Sequence, residues 1–430
     1  MELGINAVWT MLSAILVLFM QSGFIMLEAG STRMKNAGHI AGKTIFTIGI
    51  VSMVFWAVGY AFIFGSQGNP FIGWGDYFGF SSMAVPEGSI VAPTVNFMFQ
   101  LAFATISMSV AFGGFAERAK LSAYLIFAII FSAIIYPVIA HWIWGGGWLA
   151  KHGDQDFAGS TVVHLTGAVA AMAATMLLGP RLGKYNKNGK PNNIMGHNQV
   201  FTTLGVMLLW VGWFGFNAGS TIAAGDGSFF GFIAINTQLG AAAGAVAALL
   251  ISWMVTGKAD ISVMLNGALA GLVAITASCA FVESWAAIVI GLIAGIVVFL
   301  SMRLFERLRM DDPIYAMSAH GMAGVWGTLA NGFFATPELA AKVGVGKAGL
   351  FYGGGFEQLG VQALGVIVCA AFTFVVSYLV LYLMKVTIGI RVTEEEETIG
   401  LDLSEHGAYG YPEQMKELAH AHTSSQGHSA

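Results

Sequence analysis

Apolar residues in this chain run in long blocks, and they do not alternate. Eleven stretches are nearly free of charge, at approximately 5–28, 44–65, 94–116, 121–143, 158–179, 199–219, 229–256, 262–282, 285–304, 319–335 and 358–387. Each is near the roughly 20 residues that an α-helix needs to cross a bilayer. The pattern predicts an all-α integral membrane protein of eleven transmembrane helices. The tenth stretch is the shortest and is rich in glycine. Two polar exceptions stand out, His164 in the fifth stretch and His320 in the tenth. Gly167, Ala168 and Ala171 follow the first at offsets of three, four and seven, and Ala323, Gly324 and Gly327 follow the second at the same offsets. Those offsets place small residues on the histidine's own helical face. Each histidine is therefore predicted to look onto a tight helix–helix contact. One buried histidine is ordinarily a hydrogen-bonded core residue; a matched pair inside a membrane points to function.

A second recurrence lies near the ends of the first and sixth stretches. Glu28-Ala29-Gly30-Ser31 and Asn217-Ala218-Gly219-Ser220 both follow aromatic and glycine residues. With a histidine in the last of each five stretches, the chain divides into halves of about 1–180 and 199–336. A leftover eleventh helix follows at about 358–387, then a tail over 391–430. Five is odd, so the halves must be inverted, and inverted repeats place their sites at the interface between them. Basic residues agree with this threading. Sixteen of the nineteen, Lys43 among them, are assigned to loops and ends on one side, against Lys151, Lys342 and Lys347 on the other. That side is cytoplasmic by the positive-inside rule, which puts the N-terminus outside and the C-terminus in the cytoplasm.

Composition narrows the class further. Hydrophobic residues make up 56% of the 430 and charged residues 10%, and the mean hydropathy is +0.73. This is not the composition of a soluble enzyme or a nucleic-acid-binding domain. Cys279 and Cys369 fall inside apolar stretches and are expected to be buried thiols. No basic segment precedes the first apolar stretch, which reads as a retained helix and not as a cleaved signal. The segment 179–198 reads as a plain connector. The acidic TEEEETIGLDLSEHGAYGYPEQ reads by composition as a solvated appendage in preference to a docking surface, and the final HAHTSSQGHSA as disordered.

The candidate chemistry follows from what the stretches lack. No Asp, Glu, Lys or Arg is expected at the middle of any of them. A conduction path built here offers imidazoles and aromatic rings, which suits a species that sheds its charge. Burial disfavours ionised imidazole, so both rings are expected to be neutral and to pass hydrogen bonds in file. Phe103, Trp144, Phe216 and Ser220 gather near the predicted outer mouth. Aromatic faces attract a small cation by about 0.5–2 kcal/mol, and a serine hydroxyl replaces part of its hydration; any one of these rings taken singly reads first as ordinary packing or an interfacial aromatic. Asp156, just before the fifth stretch, is both a natural helix N-cap and a candidate for cation attraction or deprotonation.

The motifs LEAGSTRMKN, AFGGFAER, DFAGSTVVH, WFGFNAGS, DDPIYAMSAHG and GIRVTEEEETIGLDLSEHG, in that order, resemble those of the Amt family of ammonium transporters, within the Amt/Mep/Rh superfamily. The similarity runs from the first stretch into the tail. It implies an inverted five-plus-five repeat plus one helix, in a homotrimer with one pore per subunit in the plasma (inner) membrane. It implies ammonium or methylammonium as substrate, no cofactor and no metal. Phe103, Trp144 and Ser220 would form an outer binding site with Asp156 near it. Phe103 and Phe216 would form the gate. His164 and His320 would line the pore, with Trp213 and Thr276 as further lining or mouth positions. A cytoplasmic PII-type signalling protein would engage the inner face. Ammonium would be captured, deprotonated and conducted as ammonia, with or without the proton. Departures from the family pattern are Tyr315, the run Thr276-Ala277-Ser278-Cys279, and Glu28, a variant of one subgroup. Competing readings are an ammonium sensor acting through a partner, a Rhesus-type ammonia or carbon dioxide channel, and a metalloenzyme built on the two histidines. The last lacks accompanying ligands at mid-span.

Overall fold

The computed structural model of the protein describes residues 1–79 and 85–411. Among them, ten helices are long and apolar enough to cross a membrane. These are α1 (Glu2–Ser31), α2 (Met34–Phe64), α3 (Pro93–Phe115), α4 (Leu121–Lys151), α5 (Ser160–Leu178), α6 (Gln199–Thr221), α7 (Ser228–Thr256), α8 (Ile261–Ser278), α9 (Ser284–Arg307) and, last, Glu357–Thr387. The segment carrying His320 is helical too, wide turns over Met317–Met322 running into regular helix over Ala323–Phe334. It is α10, and Glu357–Thr387 is therefore α11. α10 is not one of the ten, since Gly321, Gly324, Gly327, Gly332 and Asn331 dilute its apolar content. The strand content described is one short hairpin, Gln67–Gly68 paired with Gly73–Trp74.

Backbone contact at glycine sets how the helices cross. α1 and α6 run antiparallel and touch at Gly23 and Gly205; a Cβ on Gly205 would lie 2.3 Å from the Leu27 nitrogen. α5 meets α3 where a Cβ on Gly167 would lie 2.6 Å from the Ser107 carbonyl oxygen. α10 meets α8 where one on Gly327 would lie 2.3 Å from the Ala274 oxygen. The glycines after each histidine thus serve close helix approach, the packing a membrane interior rewards. α11 lies across α5 and α10. Cys279 and Cys369 are free and buried.

Three expectations change at the end of the bundle that holds most of the Lys and Arg. α2 starts at Met34, ten residues ahead of the predicted 44, so Lys43 is helical and not a loop cation. It is 1% exposed and its Nζ lies 2.5 Å from Glu28 Oε2, an equally buried carboxylate. The segment 179–198 is also more than a connector. Arg181 bonds Asp311 at 2.8 Å and Glu117 at 2.6 Å, and Lys184 reaches Glu306. Burial opposes charge on Glu117, but Arg181 and Arg33 outweigh it and hold the carboxyl down at about 2.

The tail departs furthest from its composition. It forms α12 (Glu394–Ile399), started by a Thr393–Glu396 capping box, and α13 (Leu401–His406). Glu397, Leu401 and Asp402 are buried. The Asp402 carboxylate accepts the Gly38 and His39 N–H groups at the start of α2. Glu397 accepts from Leu182 N and Arg391. An acidic run that composition assigns to solvent is docked because helix N-termini and arginines await it. The closing HAHTSSQGHSA lies outside the described residues.

Candidate functional site

The site begins with a backbone device. Gly159, at φ +115°, turns the chain into α5. The Asp156 carboxylate then accepts three N–H groups at 2.9 Å, Gly159 on Oδ1 and Thr161 and Val162 on Oδ2. Asp156 is thus a helix cap, as its position suggested. Burial pushes its carboxyl up to about 6 against the pull of those N–H groups. The turns it starts are wide, with His164 N–H donating to Gly159 O five residues back at 3.1 Å. Such π-type turns are uncommon and cluster at functional positions.

α10 repeats the device. Asp312 stands eight residues before His320, as Asp156 stands eight before His164. Its Oδ2 accepts the Met317 N–H at 2.7 Å, where the second set of wide turns starts. Burial raises this carboxyl to about 6 also. Sequence reasoning overlooked Asp312, though the shared offset was there to be counted. Tyr315, the departure from the family motif, sits between them at φ +59°, a conformation a bulky residue adopts only under constraint.

These two helices bring the imidazoles together. The rings of His164 and His320 are stacked, centroids 5.2 Å apart and 20° between planes. Their Nδ1 atoms are 3.1 Å apart, a separation at which one donates and the other accepts. Thr161 and Thr328 hydroxyls bond between the helices at 2.7 Å. The face of His164 is covered by Trp213, at 5.1 Å, and by Phe216, at 5.4 Å. Trp213 is fixed by its Nε1 donating to Thr276 Oγ1 at 2.8 Å. On the other side, Phe24 packs 6.4 Å from His320.

Beyond Phe216 the file of rings continues. Phe103 lies 4.2 Å from Phe216, and Trp144 meets Phe103 edge-on at 5.7 Å. Trp144 Nε1 donates to the Asp156 carbonyl oxygen, which ties the outermost ring to the helix that carries His164. Trp144 also lines a cavity of about 700 Å³ with Tyr60, Asn96, Gln100 and Ile222. Ser220 Oγ is bonded to the Phe216 carbonyl oxygen at 2.8 Å. Phe103, Phe216, His164, His320 and Phe24 are all at most 4% exposed. Trp144, Phe103, Phe216, His164 and His320 thus form one connected file of rings, from the cavity through two phenyl rings to two imidazoles; Ser220 is tied to the Phe216 backbone and does not line the cavity, and the Asp156 carboxylate is taken up by N–H groups of α5. A histidine elsewhere provides contrast. Both ring nitrogens of His141 lie within 2.9 Å of backbone carbonyl oxygens, whereas His164 Nε2 has no protein partner.

Comparison with known proteins bears on what this file is. The model of the Ammonium Transporter Family matches residues 8–411. Ammonium transporter Amt2 of Archaeoglobus fulgidus is 43% identical, over 96% of this chain and 89% of its own length. An ammonium transporter of Bacillus subtilis is 35% identical, over 96% of this chain and 100% of its own. Among solved structures, a sensor Amt protein superposes with a TM-score of 0.88 at 36% identity, covering 94% of this chain and 99% of that one. Mep2 of Candida albicans superposes with a TM-score of 0.83 at 30% identity, covering 94% and 90%. The chain, a multi-pass membrane protein with a file of aromatic and imidazole rings through its interior, belongs to the ammonium transporter family.

Proposed function

We propose that this protein captures ammonium at the Trp144-lined cavity, removes its proton near the Phe103–Phe216 pair, and conducts ammonia past His164 and His320 to the cytoplasm. The observation that carries the reading is the stacked imidazole pair behind two closed phenyl rings. Aromatic faces favour a cation at the mouth by about 0.5–2 kcal/mol, and a buried file without carboxylates penalises a charge that cannot be shed. Potassium has no proton to lose and is rejected on this account. Trp144, Phe103 and Ser220 form the outer binding site, and Trp213 and Thr276 hold the wall beside His164. Asp156 acts first as the cap that places His164. The proton, donated away from ammonium, passes along the imidazoles.

The same reading includes eleven spans, α10 among them, in two inverted halves of about 1–180 and 199–336 with α11 added. The antiparallel α1–α6 contact and the matching Asp-to-His offsets support it. The orientation is N-terminus out, in a plasma-membrane homotrimer, with the docked tail beside any PII-type partner. A second reading, ammonium sensing through a cytoplasmic partner, is favoured by the likeness to the sensor Amt protein. Uptake of labelled methylammonium into proteoliposomes of purified protein separates the two. Transport predicts uptake in the wild type that is no longer selective over potassium in a folded His164→Ala/His320→Ala variant; a protein that binds ammonium but takes up none is a sensor alone.

A further inference from the structure

The conduction reading gives no part to α11, yet a buried amide of α11 fastens both histidine-bearing helices. Gln362 is 0% exposed and stands one turn after Gln358. Its Oε1 accepts the Gln155 N–H and Gln358 Nε2, each at 2.8 Å. Its Nε2 donates to the Gln155 carbonyl oxygen at 2.8 Å and to the Thr328 carbonyl oxygen at 3.0 Å. A carboxamide offers two N–H donors and an oxygen with two acceptor positions, so all four are taken. Turned over, the amide would set its NH2 against the Gln155 N–H and its oxygen against two carbonyls, so its orientation is fixed.

What this amide joins is the outer ends of α5 and α10. Gln155 immediately precedes Asp156, the cap of α5, and Gln362 holds both of its backbone groups. Thr328 lies on α10, eight residues and about 12 Å along the axis from His320. Asn331, one turn further along α10, donates its Nδ2 to the same Gln155 oxygen at 2.7 Å and to the Ala277 oxygen of α8 at 3.1 Å. The next N–H groups, of Phe157 and Ala158, donate to the Ala277 and Thr276 oxygens at 3.2 Å. A buried polar network with its bonds made rigidifies the elements it connects. Rigidity matters here because each imidazole rides on its own helix. Their Nδ1 atoms are 3.1 Å apart, and a further separation of about 0.5 Å ends that hydrogen bond.

We propose that Gln362 is a positioning residue for transport: by bonding Gln155 to Thr328 it sets the separation of the His164 and His320 rings, and with it the exclusion of potassium. The potassium clause rests on the conduction reading above; the ring separation does not.

The test compares two full-length variants. Gln362→Met keeps the length of the side chain and loses its four bonds. Gln358→Met, in the same network, loses bonds to the Gly153 oxygen, Gln362 Oε1 and the Lys347 N–H, none of them on α5 or α10. In protein labelled with ¹⁵N at histidine, nitrogen–nitrogen coupling across the Nδ1–Nδ1 hydrogen bond reports the ring separation without any transport. The His39–His406 contact, at 3.0 Å, is the internal reference. Both variants should lower the thermal midpoint, but only Gln362→Met should lose the His164–His320 coupling. Only in that variant should the ammonium-over-potassium ratio in proteoliposomes fall, by at least about tenfold, since misplacing reacting groups by about 1 Å costs on the order of 100-fold. A folded Gln362→Met that keeps coupling and ratio overturns the proposal, as does a wild type without the coupling. Equal losses in Gln358→Met overturn it too, because the network then acts through stability alone. Coupling lost selectively in Gln362→Met while the wild type takes up no methylammonium refutes the conduction reading and upholds the positioning. Should Gln362→Met not be recovered folded, Asn331→Leu, which cuts the other bond between Gln155 and α10, decides by the same two readouts.

Discussion

Removing the Asp156 cap tests whether this acid works on the helix or on the substrate. Its carboxylate accepts three buried N–H groups at 2.9 Å. Asn offers one carboxamide oxygen, which serves at most two of them, and its NH2 faces the third. A buried donor left unpaired costs about 1–3 kcal/mol, so Asp156→Asn is expected to destabilise the turn by about that amount. Asp156→Ala, which abandons all three, is expected to cost several times as much. Hydrogen–deuterium exchange over residues 157–163 reads this directly: opening free energy lower by 1–3 kcal/mol corresponds to exchange about 5–150-fold faster. The pH dependence adds a sign. The carboxyl is raised from 3.8 to about 6, so the folded protein binds the extra proton between those values. Its contribution is fully present below about pH 4 and is lost as pH rises through 6, roughly 3 kcal/mol in all. The wild type should therefore lose stability relative to Asp156→Asn across that window. Transport abolished in Asp156→Asn with exchange unchanged at Gly159, Thr161 and Val162 would refute the capping argument and assign the acid to chemistry.

Two further predictions rest on close contacts. Gly327→Val places a Cβ 2.3 Å from the Ala274 carbonyl oxygen and should lower the thermal midpoint by an overpacking cost of about 1–3 kcal/mol or more; Gly360→Ala, with nothing within 4 Å and inside α11, serves as control and should leave it unchanged or slightly raised. Glu117→Gln removes one charged partner from Arg181, which keeps Asp311, and from the partly exposed Arg33, at about 1–3 kcal/mol, and limited proteolysis should then cut the tail between Arg391 and Tyr411 sooner than in the wild type.

The legible parts of this protein are those a local rule governs. Apolar stretches read as spans because a bilayer leaves helices no alternative. The offsets of three, four and seven after His164 and His320 read as contact faces because helical geometry fixes them. Long-range pairing was hidden. Asp402 looks solvated until the N–H groups of Gly38 and His39, more than 360 residues earlier, are seen to meet it. Lys43 counted as a loop cation because nothing in its neighbourhood names Glu28 as its partner. Asp312 is the intermediate case. Its spacing from His320 was readable, but the Asp-Asp-Pro around it concealed which acid caps the helix. Asp311, beside it, turns away to Arg181.

The central claim is that two stacked imidazoles behind a phenyl gate admit only a species that can lose a proton. Ionic currents in ammonium and in potassium solutions, recorded from proteoliposomes of the wild type and of His164→Ala/His320→Ala, test it most directly. The account predicts ammonium-dependent current or uptake with no potassium current in the wild type, and loss of that discrimination in the double variant. A wild type that carries potassium, or a folded double variant that still excludes it while transporting ammonium, would contradict it.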